Sequence, residues 1–188
     1  MRGIASKREL RMSFLRYALV TVPLLVLAGS LSGRLAGSGY GNPWFDLLIK
    51  PAFMPPGWVF GAAWTILYAL LGLVLAMILH ARGARGRGPV LGLFLGQLAL
   101  NFAWSPLFFA YHQVVPALIV IIAMIGLSAA ASVLLWWIRK AAALLMLPYI
   151  AWLCFAAALT FEIDRLNPDG AELVPGGRSS DIILETSD

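Results

Sequence analysis

Five separate runs of mostly apolar residues, each about 20 residues long, constrain the fold more than any other feature of the sequence. They cover residues 17–37, 57–80, 89–111, 115–138 and 142–163. A helix of about 20 residues rises about 30 Å, which is the thickness of bilayer hydrocarbon. Backbone N–H and C=O groups must be paired inside lipid, so runs of this length are expected to be helical. The sequence therefore predicts an all-α, polytopic membrane protein built as a bundle of five transmembrane helices.

The charged residues lie between these runs rather than within them. Only 12% of the chain is charged while 61% is hydrophobic, too little charge for the surface of a soluble domain. The net charge of +5 indicates membrane orientation and no nucleic-acid partner. The single cysteine, Cys154, cannot form an intrachain disulfide and does not indicate a metal site.

The chain divides into three parts. A basic segment of residues 1–16 precedes the membrane domain, residues 17–166, and a polar tail of residues 167–188 is expected to be disordered. Within the membrane domain, the first loop, residues 38–56, is much longer than the others, and long loops are often functional. The first apolar run also has features of a cleaved signal peptide, but its length favours a retained helix.

Basic residues alternate between the two sides of the predicted bundle. They precede the first run, and they recur between the second and third runs and between the fourth and fifth. Examples are Arg8 and Arg11, then Arg82, Arg85 and Arg87, then Arg139 and Lys140. Because cytoplasmic loops are enriched in Lys and Arg, the N-terminus is expected in the cytoplasm. The first loop and the C-terminus are then expected on the opposite side.

One face of the third predicted helix combines polar and aromatic residues. Gln97, Asn101, Trp104 and Phe108 are spaced by four, three and four, so they share a helical face. Asn101 lies roughly 18 Å into the span at about 1.5 Å per residue, and a buried amide at that depth needs a partner. Two interpretations remain open: Asn101 bonds a neighbouring helix, or it faces a cavity and meets a ligand.

Aromatic and small residues also align on the second and fifth predicted helices. Trp64 and Tyr68 are four residues apart, as are Trp152, Ala156 and Thr160. Tryptophans at membrane interfaces usually act only as anchors, but these positions lie deeper in the spans. The small side chain of Ala156 leaves room beside Trp152 for a flat ligand.

The stretch KPAFMPPGWVFGAAWTILY, residues 50–68, forms an elbow between the first loop and the second helix. Pro55 and Pro56 fix their own backbone and favour an extended residue before them, and proline is well suited to begin a helix. The elbow thus sets the angle at which the loop enters the bundle. We expect Trp44, Phe45 and Phe53 of this loop to fold over the open end and close an aromatic pocket.

Three motifs together resemble the TspO/MBR family, the tryptophan-rich sensory proteins related to the mitochondrial translocator protein. They are the stretch at residues 50–68, GQLALNFAWSPLFF at residues 96–109, and LLMLPYIAWLCFA followed by RLN at residues 165–167. The resemblance extends from the first helix to Asn167, and the three motifs occur in order on the second, third and fifth predicted helices.

The resemblance implies a five-helix bundle, usually a homodimer, with a pocket beneath the first loop. In the family this pocket binds porphyrins and haem, synthetic isoquinoline or benzodiazepine-type ligands and, in some members, sterols. By motif, the ligand-binding residues here would be Phe45, Pro55, Trp64, Tyr68, Asn101, Trp104, Trp152 and Ala156. No obligatory cofactor, catalytic residue or metal ligand is implied, although some members are reported to degrade bound porphyrin in light.

The fifth helix departs from the family pattern in the segment LTFEIDRLN. Thr160 replaces the usual Asn and Phe161 the usual Tyr. The proposed sterol motif needs that Tyr between a Leu and a basic residue, so Leu159, Phe161 and Arg165 match it only without the hydroxyl. Sterol binding by this segment is therefore not favoured.

Three classes of function remain after this reading. The leading hypothesis is a tetrapyrrole receptor or sensor with a regulatory or stress-linked role. A transporter of porphyrin or sterol is the second, although no acidic residue lies in the first four runs to couple ions. The third is an enzyme. No nucleophile with a base and an orienting group is visible, so the enzymatic activity left open is light- or oxygen-dependent breakdown of a bound pigment.

Two further expectations concern glycines and histidines. Gly92 and Gly96 have the spacing that lets two helices approach closely, and they are a candidate dimer contact unless they pack within the bundle instead. Gly57 and Gly61 have the same spacing and compete for that role. The two histidines, His80 and His112, lie at helix ends, so axial ligation of iron from within the bundle is not expected.

Overall fold

The computed structural model describes residues 7–173, and its architecture is helical. The helices are α1 (Lys7–Leu35), α2 (Pro43–Leu47), α3 (Gly57–His80), α4 (Arg87–Ser105), α5 (Val114–Ile138) and α6 (Lys140–Leu166). A π-helical turn, Pro106–Ala110, extends α4, and a short 3-10 turn, Gly170–Glu172, follows α6. Five of these helices are long and apolar enough to cross a membrane, and the described residues contain no β-strand. The predicted five-helix bundle is confirmed.

The helix boundaries differ from the predicted ones in two places. α1 begins at Lys7 rather than at residue 17, because the basic segment is made of good helix formers such as Arg, Glu, Leu and Met. The third predicted span is not one regular helix. Pro106 lacks an N–H, and beyond it the backbone widens, so that the N–H of Tyr111 donates to the carbonyl of Pro106 at 2.9 Å.

The first loop contains the short helix α2, and residues 38–56 are called the α2 loop below. Asn42 caps α2, because its side-chain Oδ1 accepts hydrogen bonds from the N–H groups of Trp44 and Phe45 at 3.1 and 3.0 Å. At the other end, the Lys50 amine donates to the carbonyls of Phe45 and Leu48 at 2.9 and 3.2 Å. These caps make α2 a compact unit that packs as one body.

α1 and α3 approach each other through two glycines. A Cβ at Gly72 of α3 would lie 2.6 Å from the Cα of Val22, and Thr21 donates its hydroxyl to the Gly72 carbonyl at 2.7 Å. A Cβ at Gly29 of α1 would lie 2.1 Å from the ring of Tyr68. Only glycine permits these approaches, which pin α1 to the bundle.

The remaining helices pack around an apolar core. α5 packs against both α4 and α6, and α3 packs against α6 as well as α1. His80 lies at the end of α3 farthest from the α2 loop, where its Nδ1 is 3.4 Å from a guanidinium nitrogen of Arg139. The Arg87 guanidinium donates to the Ile78 carbonyl at 2.9 Å and so closes the same end of α3.

Candidate functional site

A cavity of about 680 Å³ lies inside the bundle beneath the α2 loop. Residues of α1, α2, α3, α4, α5 and α6 contribute to its lining, together with the Gly-rich residues 37, 39 and 41. Its volume is in the range of small-molecule and cofactor sites. The cavity is therefore large enough to be the binding site of a ligand.

Most residues that the sequence analysis selected line this cavity. They are Phe45, Trp64, Tyr68, Asn101, Trp104, Trp152 and Ala156. Thr160 also lines it, with its hydroxyl bonded to the carbonyl of Ala156 at 2.8 Å. Whether they bind a ligand stays a prediction, but residues from four separate segments of the chain do meet around one space.

Two residues of the elbow lie elsewhere. Pro55 is not among the lining residues, and its carbonyl accepts a hydrogen bond from the Tyr40 hydroxyl at 3.2 Å. Phe53 is 51% exposed and its ring meets the edge of Phe155, at 6.4 Å between centroids. The expectation that Phe53 closes the pocket was wrong, because the turn formed by residues 51–54 places its ring against Phe155 of α6.

Aromatic rings from three helices surround the cavity. On α3, the rings of Trp64 and Tyr68 lie 5.5 Å apart. On α6, Trp152 meets the edge of Phe60 at 5.9 Å. On α4, Trp104 stacks on Phe108 at 5.2 Å with an interplanar angle of 13°. The cavity thus presents aromatic surfaces on several sides, which suits a flat and largely apolar ligand.

A chain of buried hydrogen bonds supports the wall of the cavity. The Tyr68 hydroxyl donates to Oδ1 of Asn101 at 2.6 Å, and Nδ2 of Asn101 donates to the Tyr149 hydroxyl at 3.0 Å. The Tyr149 hydroxyl in turn donates to Oε1 of Gln97 at 2.6 Å. Asn101 therefore bonds neighbouring helices, as the first interpretation has it, and it also lines the cavity; that it meets a ligand stays a prediction.

Tyr149, which supports the cavity wall without lining the cavity, is a residue that sequence reasoning missed. It is fully buried, and it connects Asn101 to Gln97 from α6. The available signal was its spacing, since Tyr149, Leu153, Ala156 and Thr160 recur every three or four residues on one face of α6.

Trp44 joins the α2 loop to the segment after α6. Its indole N–H donates to the Gly170 carbonyl at 2.7 Å, 126 residues further along the chain. Its ring stacks on His112 at 4.4 Å with an interplanar angle of 11°, and only 1% of the side chain is exposed. Next to it, Phe45 packs edge-on against Phe109 at 5.3 Å. As expected, Trp44 and Phe45 fold over the open end of the bundle.

The first residues of the polar tail are part of the fold. Asn167 is buried and bonds the backbone of Ile49 in the α2 loop, and Gly170 is buried beneath Trp44. The expectation of a disordered tail was therefore wrong for residues 167–173, whose side chains and carbonyls hold the loop. Residues 174–188 of that expected tail, and residues 1–6 of the basic segment, lie outside the described residues.

Neither histidine lines the cavity. His112 stacks on Trp44 in the closed end, and His80 lies at the far end of α3. Among residues 7–173, no three His, Cys, Asp or Glu side chains are grouped as metal ligands would be. Gly57 and Gly61, one of the two predicted dimer pairs, do line the cavity.

The sequence as a whole matches known proteins over most of its length. The model of the TspO/MBR family matches residues 19–166. A tryptophan-rich protein TspO of Archaeoglobus fulgidus is 39% identical over 149 residues, which cover 79% of this chain and 96% of that protein. The human translocator protein is 39% identical over 147 residues, or 75% and 86% of the two chains. The tryptophan-rich sensory protein of Cereibacter sphaeroides is 37% identical over 126 residues, or 67% and 78%.

Proposed function

The chain belongs to the TspO/MBR family, and from this membership and its aromatic cavity we propose that it is a receptor that senses a porphyrin or haem. The five apolar helices and the sensory and translocator relatives support an integral, multi-pass membrane protein.

The observation that carries the proposal is the meeting of Trp64, Trp104 and Trp152 around one cavity. They come from α3, α4 and α6, and core packing alone would be served by aliphatic side chains. Each well-placed aromatic pair contributes about 0.5–1.5 kcal/mol beyond the burial of area. A tetrapyrrole offers a wide aromatic face to such rings.

The mode of binding follows from the positions of the histidines. Because neither His80 nor His112 lines the cavity, stacking rather than axial ligation of iron holds the ring. The iron then contributes little to affinity. We expect metal-free protoporphyrin and haem to bind with similar dissociation constants.

The proposal is tested by titrating the full chain, in a non-ionic detergent, with protoporphyrin and with haem while tryptophan fluorescence is followed. Trp152→Ala removes one aromatic wall of the cavity, and Ala156→Leu fills the space beside it. Each variant is expected to lower the affinity for both rings by a similar factor of about 10. Trp137→Ala is the matched control, since Trp137 is 84% exposed and does not line the cavity.

Two results would contradict this reading. One is haem binding far more tightly than the metal-free ring, with His112→Ala removing the difference, which would make ligation the mechanism. The other is no saturable binding of either ring, which would remove tetrapyrroles as ligands. Spectra of the complex in darkness and in light separate a receptor, whose ligand stays intact, from a protein that breaks the pigment down.

A further inference from the structure

The lining of the cavity contains one charged residue, Arg34, in the last turn of α1. All other lining residues are apolar, aromatic, glycine or neutral polar. Ser30 and Gly33 line the cavity with it at the spacing of a single face of α1, and Gly37, just beyond the helix, lines it too. Arg34 is exposed, whereas the buried Tyr68 and Asn101 lie deeper, so the charge is at the mouth of the cavity.

The guanidinium of Arg34 has no partner within the described part of the chain. The ion pair found there joins Arg165 to Glu162, at 2.5 Å. Lys50, another cation at this end of the bundle, donates to backbone carbonyls of the α2 loop. Asp46, the acidic residue of α2, accepts hydrogen bonds from the Gly41 N–H at 3.1 and 3.3 Å. The donors of Arg34 are thus available to a ligand.

The amide and hydroxyl groups of Asn101 and Thr160, deeper in the cavity, are already engaged, whereas the buried indole N–H of Trp104 has no partner among the described residues. Oδ1 and Nδ2 of Asn101 bond Tyr68 and Tyr149, and the Thr160 hydroxyl bonds the Ala156 carbonyl. A carboxylate carried into this region would lose its hydration and meet no cation of the described chain there, and the neutral indole N–H of Trp104 would not replace the lost water, so its burial is strongly unfavourable. A carboxylate at the mouth keeps water on one side and meets Arg34 on the other.

We propose that Arg34 binds a carboxylate of the ligand and that the site therefore selects anionic, carboxylate-bearing rings over their neutral analogues. A guanidinium offers two parallel N–H donors to a carboxylate, and such charge-assisted pairs are stronger than neutral hydrogen bonds. The ligand then enters with its apolar edge towards Asn101 and its acidic edge towards Arg34. This inference rests on the proposed function, because it specifies which tetrapyrroles bind and in which orientation.

The experiment compares protoporphyrin, a dicarboxylic acid, with its neutral dimethyl ester on the full chain in a non-ionic detergent. Wild type is expected to bind the acid about 10-fold more tightly than the ester. Arg34→Ala and Arg34→Gln are expected to lower the affinity for the acid about 10-fold and to leave the affinity for the ester unchanged. Arg16→Ala is the control, because Arg16 is exposed on the same helix and does not line the cavity. High salt should weaken acid binding by wild type and not by the Arg34 variants.

The outcomes separate failure of the Arg34 proposal from failure of the proposed function. Acid and ester binding equally well to wild type, or an equal loss of both in the Arg34 variants, would show that the charge is not recognised and would overturn this inference alone. Failure of wild type to bind either ring would overturn the proposed function and this inference with it. Arg34→Gln retains a long polar side chain, so it keeps the comparison valid should Arg34→Ala fold poorly.

Discussion

The side-chain amide of Asn167 forms two hydrogen bonds with the backbone of Ile49, 118 residues earlier in the chain. Its Oδ1 accepts from the Ile49 N–H at 2.8 Å, and its Nδ2 donates to the Ile49 carbonyl at 2.9 Å. The amide thereby satisfies the peptide groups of Ile49 much as a neighbouring strand would. This pair ties the α2 loop, which closes the cavity, to the end of α6.

Asn167→Ala is expected to loosen the α2 loop. Both backbone groups of Ile49 lose their partner, at a cost of about 1–3 kcal/mol for the contact. Hydrogen exchange followed by mass spectrometry should show faster exchange in the loop, and any bound ring should dissociate faster. Asp169→Ala is the control, because Asp169 is exposed and lies in the same segment. Unchanged exchange in the loop would mean that Trp44 and Gly170 alone hold it.

Tyr149→Phe is expected to destabilise the bundle more than Tyr68→Phe. Removing the Tyr149 hydroxyl leaves Nδ2 of Asn101 and Oε1 of Gln97 unpaired inside the bundle, whereas removing the Tyr68 hydroxyl leaves only Oδ1 of Asn101. Each unpaired buried group costs about 1–3 kcal/mol. Thermal unfolding of both variants in the same detergent measures the order, and a larger effect of Tyr68→Phe would contradict the direction of the network.

The Lys and Arg distribution predicts that the α2 loop and the N-terminus lie on opposite sides of the membrane. A single cysteine at Ser38, in a Cys154→Ser background, should react with an impermeant reagent added to intact cells. A cysteine at Ala84, between α3 and α4, should react only after permeabilisation. This position is chosen because replacing Ala84 leaves the basic residues of that connection unchanged. The reverse pattern would invert the orientation.

The structure refines the predicted dimer contact on α4. A Cβ at Gly92 would meet no atom within 4 Å, whereas one at Gly96 would lie 3.8 Å from Leu127 of α5. Gly57 and Gly61 line the cavity, so they are the weaker candidates for a dimer contact. Gly92→Ile is therefore expected to convert a detergent-solubilised dimer to monomer, as judged by light scattering coupled to gel filtration. A dimer that persists in a folded Gly92→Ile variant would place the interface on another helix.

Much of the site follows from helical periodicity, which is a local property of the sequence. Trp64 and Tyr68, or Trp152 and Ala156, share a face because they are four residues apart on one helix, and the structure brings these faces to one cavity. The five spans follow in the same way from the length of the apolar runs and from the need to pair every backbone group in lipid.

The closure of the cavity depends on contacts that no local pattern specifies. Trp44 reaches Gly170 and Asn167 reaches Ile49 only after five helices have packed and brought the ends of distant segments together. The elbow prolines were likewise predicted to fix a backbone angle. The contacts of Phe53 with Phe155 of α6 and of Pro55 with Tyr40, however, depended on tertiary packing. The sequence by itself determined which residues share a helix face and that five helices cross the membrane. The tertiary structure decided which faces meet, that Asn101 serves both the bundle and the cavity, and that the charge at its mouth is Arg34, because these depend on how the helices pack in space.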